Sequence, residues 1–127
     1  MAIKNFHPLL IVENIENLSN FLVEKFDFEV VFDSDWFKQL AHPAGQLGIM
    51  ETNSMNQPDF LHPGFNGQGF VLTVEVEDAD SRYADFDQDM VVHKLVTEEW
   101  GQRHFIIRAP ENILIDVVNY TEPEDYR

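Results

Sequence analysis

Val12-Glu13-Asn14 returns 64 positions later as Val76-Glu77-Asp78. Each triplet closes a short apolar run, Phe6 to Val12 in one case and Phe70 to Val76 in the other. Working outward, Asp35-Trp36 returns as Glu99-Trp100. His42-Pro43-Ala44-Gly45, with an apolar run behind it, returns as Ala109-Pro110-Glu111-Asn112, three residues later than the fixed offset. A repeat of this length decides the fold, because each copy is one supersecondary unit that cannot bury both of its faces alone. Two such half-units are expected to build a cleft between themselves, with equivalent positions of the copies converging on it.

The first copy reads β-α-β-β-β. Phe6 to Val12 is a strand. Asn14 is placed to cap a helix whose apolar face is Ile15, Leu18, Leu22 and Phe26. Phe28 to Phe32 is a second strand, Asp33-Ser34 a turn, Trp36 to Ala41 a third strand and Gln46 to Glu51 a fourth. In the second copy Phe70 to Val76 is a strand, and Asp78 caps a helix lined by Ala79, Tyr83 and Phe86. Met90 to Val96 follows as a strand, then Gln102 to Arg108 and Ile113 to Tyr120 as a hairpin. The expectation is a single α+β domain over 1–127, with repeat units 5–51 and 70–120 joined by a loop at 52–69 and the helices outside a half-barrel sheet. The loop carries Met55, Phe60 and Phe65, apolar groups suited to a lid, and long loops are usually functional. Thr121 to Arg127 reads as an acidic tail.

Charge narrows the partners. Eight Lys and Arg stand against 23 Asp and Glu, a formal net charge of −15. Such a surface repels phosphate backbones, which argues against nucleic acid, and it favours cationic ligands or serves solubility. The absence of Cys removes disulfides and thiol chemistry. No apolar run approaches the roughly 20 residues of a membrane-spanning helix, and the first residues carry no signal-peptide core. The expected location is cytoplasmic, with no membrane partner.

The arrangement resembles the glyoxalase / bleomycin-resistance / extradiol-dioxygenase superfamily, the vicinal oxygen chelate fold. The resemblance rests on His7-Pro-Leu-Leu-Ile-Val-Glu-Asn-Ile-Glu-Asn, on Phe28-Glu-Val-Val, and on the stretch from Trp100-Gly-Gln-Arg-His-Phe to Ile115-Asp116-Val117-Val118. It covers Phe6 to Tyr120. It implies two βαβββ units forming a half-barrel, within one chain or across a homodimer. It leaves the reaction open, since the superfamily holds lyases, dioxygenases, epimerases and non-catalytic drug-binding proteins.

The resemblance also implies where a divalent metal (Zn, Ni, Mn or Fe) would sit, on four equivalent strand positions holding His, Gln or Glu. The first falls on His7. The second falls near the end of the fourth strand, where Glu51 is the ligand-type side chain and Ile49 is the place reached by aligning the Pro turns. The third is Val71, which offers no donor. The fourth is Asp116. A metal set of His7, Glu51 and Asp116 is therefore incomplete, and no obligatory metal is expected. Asp116 stands inside the apolar run Ile113 to Val118, so it must face a cavity, a partner or water.

Other residues extend the site. Trp36 and Trp100 read as repeat partners at a cleft mouth, and Phe37, Phe60, Phe65 and Phe105 as an aromatic wall for a planar or cationic ligand. Arg103 and His104 are neighbours on a strand and point to opposite faces, and which one faces the cleft is open. His104 inward would supply an acid or base; Arg103 inward would hold a carboxylate or pair with Asp116. His42, His62 and His93 read as surface residues. The leading expectation is a homodimeric protein that binds a small cationic or aromatic molecule in the inter-repeat cleft without an obligatory metal. The alternative is a metal-dependent lyase or dioxygenase acting on a vicinal-oxygen substrate. A third reading is a metal-free enzyme in which Arg103 or His104 moves a proton with Asp116.

Overall fold

The computed structural model describes residues 2–121, and most of the acidic tail read at 121–127 lies outside them. The chain forms two compact units, residues 1–66 and 67–127, with the division inside the loop that joins the repeats. No helix among the described residues is long and apolar enough to cross a membrane.

Unit 1 runs β1 (Leu9–Val12), α1 (Ile15–Phe26), β2 (Glu29–Asp33), β3 (Phe37–His42) and β4 (Gly45–Glu51). Its four strands lie in the order β1-β4-β3-β2, with β1 parallel to β4 and the other neighbours antiparallel. The first strand begins at Leu9 rather than Phe6, because Pro8 has no N–H to give the ladder; its carbonyl still accepts from Gly48 N at 3.0 Å. Asn14 caps α1 as its position suggests, its side chain accepting from Asn17 N at 2.9 Å. Glu16 at the start and Lys25 at the end complement the helix dipole. The chain leaves α1 through Asp27 in a left-handed conformation, φ 59°. Ile15, Leu18, Leu22 and Phe26 are buried, and α1 packs on β3 and β4, where Leu40, Leu47 and Ile49 supply the facing apolar layer.

Unit 2 repeats the design as β5 (Val71–Glu75), α2 (Ala79–Tyr83), β6 (Val91–Thr97), β7 (Gln102–Arg108) and β8 (Leu114–Tyr120), in the order β5-β8-β7-β6. Asp78 caps α2, accepting from Asp80 N at 3.1 Å. The helix stops at Tyr83, earlier than the apolar spacing through Phe86 predicts. Its Asp and Ser residues compete for the backbone and weaken a short helix. Phe86 is nevertheless buried, and it stands against Phe105 with ring centroids 5.8 Å apart.

The repeat reaches further than the strand order. Glu16 and Asp80, 64 positions apart, are each the second residue of their helix, and each holds a cation from the sheet beneath. Glu16 pairs with Lys38 Nζ at 2.9 Å, and Lys38 also bonds Asp33. Asp80 takes Arg103 in a two-pronged bond, Nε to Oδ1 and Nη2 to Oδ2, both 2.9 Å. In each unit the helix is thus pinned by charge as well as by packing.

The joining loop is not structureless. Pro58 leads into a short 3-10 turn at Asp59–Leu61, and Asn53 N, Thr52 N and Phe65 N donate to His62 O, Val12 O and Ile11 O. These bonds tie residues 52–65 back onto unit 1 itself.

Candidate functional site

Strand alternation sorts the side chains of unit 2 onto two faces. Arg103, Phe105 and Ile107 turn toward α2, where Phe105 is fully buried and meets Tyr83 edge-on at 5.0 Å. His104 and Ile106 therefore turn to the other face, away from the helix. Ile106 lies opposite Asp116, and His104 opposite Val118, so His104 and Asp116 are diagonal neighbours on that face. The His104 Nδ1 to Asp116 Oδ1 distance is 2.7 Å. On the other side of the ring, Nε2 lies 2.9 Å from Glu98 Oε2.

This is the partner that the apolar setting of Asp116 demands. Its side chain is only 15% exposed and that of His104 only 7%, so their charges are mutually compensated out of water. A neutral imidazole has one N–H, whereas two carboxylates flank this ring. Only the imidazolium donates to both. Burial weighs most on the His104 pKa and pulls it down, but the bonds to Glu98 and Asp116 together outweigh burial and leave it above the ordinary histidine value. The bond from His104 in turn holds Glu98 below the usual glutamate value.

His93 completes the group. Its Nε2 lies 3.2 Å from the same Glu98 Oε2, and its ring centroid is 5.2 Å from that of His104. Two shifts in the β6–β7 register, either side of His93, bring it onto this face: His93 lies opposite Ile106 and Val96 opposite His104, although 93 and 96 differ by an odd number. Glu98 sits at the head of a tight turn, its N–H bonded to Gln102 O at 2.7 Å and its carbonyl accepting from Gly101 N at 3.0 Å. Gly101 there has φ 97°, a conformation glycine adopts without penalty. Neither His93 nor Glu98 stands out in the sequence. The signal that unites them with His104 is a bulge, which residue spacing does not display.

The remaining residues singled out from the sequence are dispersed. Arg103 faces α2, bonded to Asp80 and, at 3.1 Å, to Thr97, so it does not pair with Asp116. Phe105 belongs to the core beneath α2 and not to an aromatic wall. Trp36 and Trp100 are not equivalent: Trp36 extends the β3 ladder by accepting from Glu51 N, whereas Trp100 lies in the turn between β6 and β7, 54% exposed. Phe37 is half-buried beside Phe32 and Trp36, with centroids 6.0 and 5.9 Å away. Phe60 is 79% exposed at the 3-10 turn.

In unit 1, His7 Nε2 contacts Gln39 Nε2 at 3.1 Å, and Gln39 donates to Gln46 Oε1 at 2.9 Å. Gln39 lies opposite Gly48. Glu51 is three positions beyond Gly48 on the same strand, so it points to the opposite face from Gln39 and His7. His7 and Glu51 do not form a ligand pair.

Residues 5–117 match the profile of the Glyoxalase/Bleomycin resistance protein/Dioxygenase superfamily. The chain belongs to this superfamily. Among solved structures of the same fold, a protein of unknown function from Agrobacterium tumefaciens is 20% identical with a TM-score of 0.75, covering 94% of this chain and 95% of its own. A virulence protein from Salmonella typhimurium is 21% identical with a TM-score of 0.73, covering 94% and 99%. A glyoxalase/bleomycin resistance protein/dioxygenase from Nocardioides is 14% identical with a TM-score of 0.73, covering 96% and 86%. No curated protein gives a significant match.

Family enzymes commonly carry a divalent metal on four equivalent strand positions, and the sheet registers locate all four here. Leu9 and Thr73 are repeat partners; Leu9 pairs with Gly48 and Thr73 with Asp116. The position equivalent to Asp116 is therefore Gly48, and neither Ile49 nor Glu51. The four positions hold His7, Gly48, Val71 and Asp116. Two of them offer no donor, and Asp116 already holds His104. The residues present do not fit the family metal.

Proposed function

We propose that this superfamily member binds a small cationic or aromatic molecule on the helix-free faces of its sheets and does so without the family metal. The observation that carries this reading is the pair Gly48 and Val71, which leaves one donor position in each unit where the family's enzymes have two. The formal charge of −15 favours cations. Exposed and half-exposed apolar groups, including Leu9 at 44% and Val71 at 48%, offer contact area on those faces. The test is a melting-temperature screen against cationic aromatic compounds, in which a ligand stabilises by RT ln(1 + [L]/Kd). At least one compound should raise the melting temperature in a saturable way, and Leu9→Asp or Val71→Asp should abolish the shift. A broad panel without a shift, or a metal-dependent lyase or dioxygenase activity lost in His7→Ala, would overturn the reading.

A second reading draws on the 2.7 Å contact between His104 and Asp116. An imidazolium held between Asp116 and Glu98 acts as a general acid once a substrate atom takes the place of Glu98 Oε2 at Nε2. Turnover of a screened ligand that is lost in His104→Gln while binding persists would select this reading over binding alone.

A further inference from the structure

The group His93, Glu98 and His104 has donor atoms that all lie within 4.8 Å of one another. From this group we infer that the protein binds a divalent transition-metal ion, zinc or a close relative, at the edge of the second sheet. None of the three residues occupies a strand position used by the family metal, so the site is a separate one. It stands independently of the ligand-binding reading above.

Four arguments converge. The donors are of the right kind, since two imidazole nitrogens and one carboxylate oxygen form a set that zinc and ferrous iron accept. The spacing is right. Zinc holds such donors about 2.1 Å away, which puts neighbouring corners of a tetrahedron about 3.4 Å apart. Glu98 Oε2 is 3.2 Å from His93 Nε2 and 2.9 Å from His104 Nε2. The third separation, between the two imidazole donors, is no more than 4.8 Å, so small ring movements seat an ion.

The orientation is also prepared. His104 presents Nε2 to the group because Nδ1 is bonded to Asp116, the carboxylate-behind-histidine arrangement that fixes metal-binding imidazoles. Asp116 is thus a positioning residue. Finally, the backbone is shaped for it: the bulged β6 carries His93 onto the face of His104, and the Gly101 turn fixes Glu98.

Exposure completes the geometry. The His104 side chain is buried, that of Glu98 partly so, and that of His93 is 45% exposed, so the fourth coordination place faces solvent. An ion there keeps a position for water or for a ligand oxygen. On binding, the proton shared between His104 Nε2 and Glu98 leaves to solvent, since both donors coordinate only when deprotonated.

The experiment uses the whole chain without a polyhistidine tag, stripped with chelator and titrated calorimetrically with zinc chloride alone. One equivalent per chain is expected, with a rise in melting temperature and proton release that varies with buffer ionisation heat. His93→Ala and Glu98→Gln, both at accessible positions that leave the core intact, should each weaken zinc at least tenfold, and Asp116→Asn about 10- to 100-fold. His42→Ala, at the end of β3 in unit 1, should bind as wild type. Cobalt substitution should give the intense visible absorption of a four-coordinate site, and this should vanish in His93→Ala. Absence of stoichiometric binding, or unchanged affinity in both His93→Ala and Glu98→Gln, would overturn the inference.

Discussion

His104 Nδ1 and Asp116 Oδ1 lie 2.7 Å apart on adjacent strands, diagonal neighbours on the face of the second sheet that the helix leaves uncovered. This contact explains how a carboxylate persists in the middle of an apolar strand. Its loss has a definite cost. Asp116→Asn keeps the shape but removes the charge, and should lower stability by about 1.5–3 kcal/mol, the range for hydrogen bonds to charged groups. Denaturant unfolding measures this. His104→Gln should cost a similar amount, and the double variant less than the sum, because both remove the same bond. Strict additivity would show that the two side chains are not coupled.

Stability of the chelator-treated protein should depend on pH through the same histidine. Folding raises the His104 pKa above its ordinary 6.5, so its contribution is complete below 6.5 and is lost as pH climbs through the folded value. Folding lowers the Glu98 pKa below its ordinary 4.5, so its contribution is present above 4.5 and is lost as pH falls through the folded value. The melting temperature should therefore decline as pH rises above 6.5, and His104→Gln should flatten that decline. An unchanged alkaline slope in this variant would rule the histidine out as its source.

Arg103 should prove structural and minor. Its bond to Asp80 is two-pronged, but the Asp80 side chain is 57% exposed, and exposed ion pairs contribute about 0.2–1 kcal/mol. Arg103→Ala should fall in that range and leave ligand and zinc affinities unaltered. A large fall in either affinity would return Arg103 to the site.

Phe105 should behave as core. Phe105→Ala should cost about 3–5 kcal/mol, the range for emptying a buried aromatic position. Phe105→Leu should be milder and leave ligand affinity intact. Loss of binding in a stably folded Phe105→Leu would contradict the placement of this ring beneath α2.

Local signals were readable before the structure, and non-local ones were not. The caps at Asn14 and Asp78 and the buried face Ile15, Leu18, Leu22 and Phe26 follow from short-range patterns, and the doubled β-α-β-β-β succession follows from the 64-residue offset. The early end of α2 was obscured because Phe86 keeps helical spacing while the chain is already in a turn. Within the candidate site, adjacency alone showed that Arg103 and His104 must diverge. The choice between them waited on Phe105, whose burial beneath α2 turns Arg103 to the helix and His104 away. His93 reads as a surface residue from its place near a strand start, and its side chain is indeed exposed. What stays hidden is that it shares the face of His104, because the register shifts of β6 leave no trace in residue types. The second ligand position falls on Gly48 and not on Ile49 or Glu51; the two hairpin turns differ in length, so aligning their prolines reaches Ile49, one residue out of register.

Gly48 also fixes what the first sheet can accept at this point. A β-carbon added there would meet Leu9 Cδ1 at 3.3 Å and both Gln39 Oε1 and Phe37 Cε1 at 3.4 Å. All three are the far ends of side chains, so a shift of a few tenths of an ångström admits a methyl group. The surface is closely lined here without being sealed, and a longer substituent must push Leu9, Gln39 or Phe37 from its present seat.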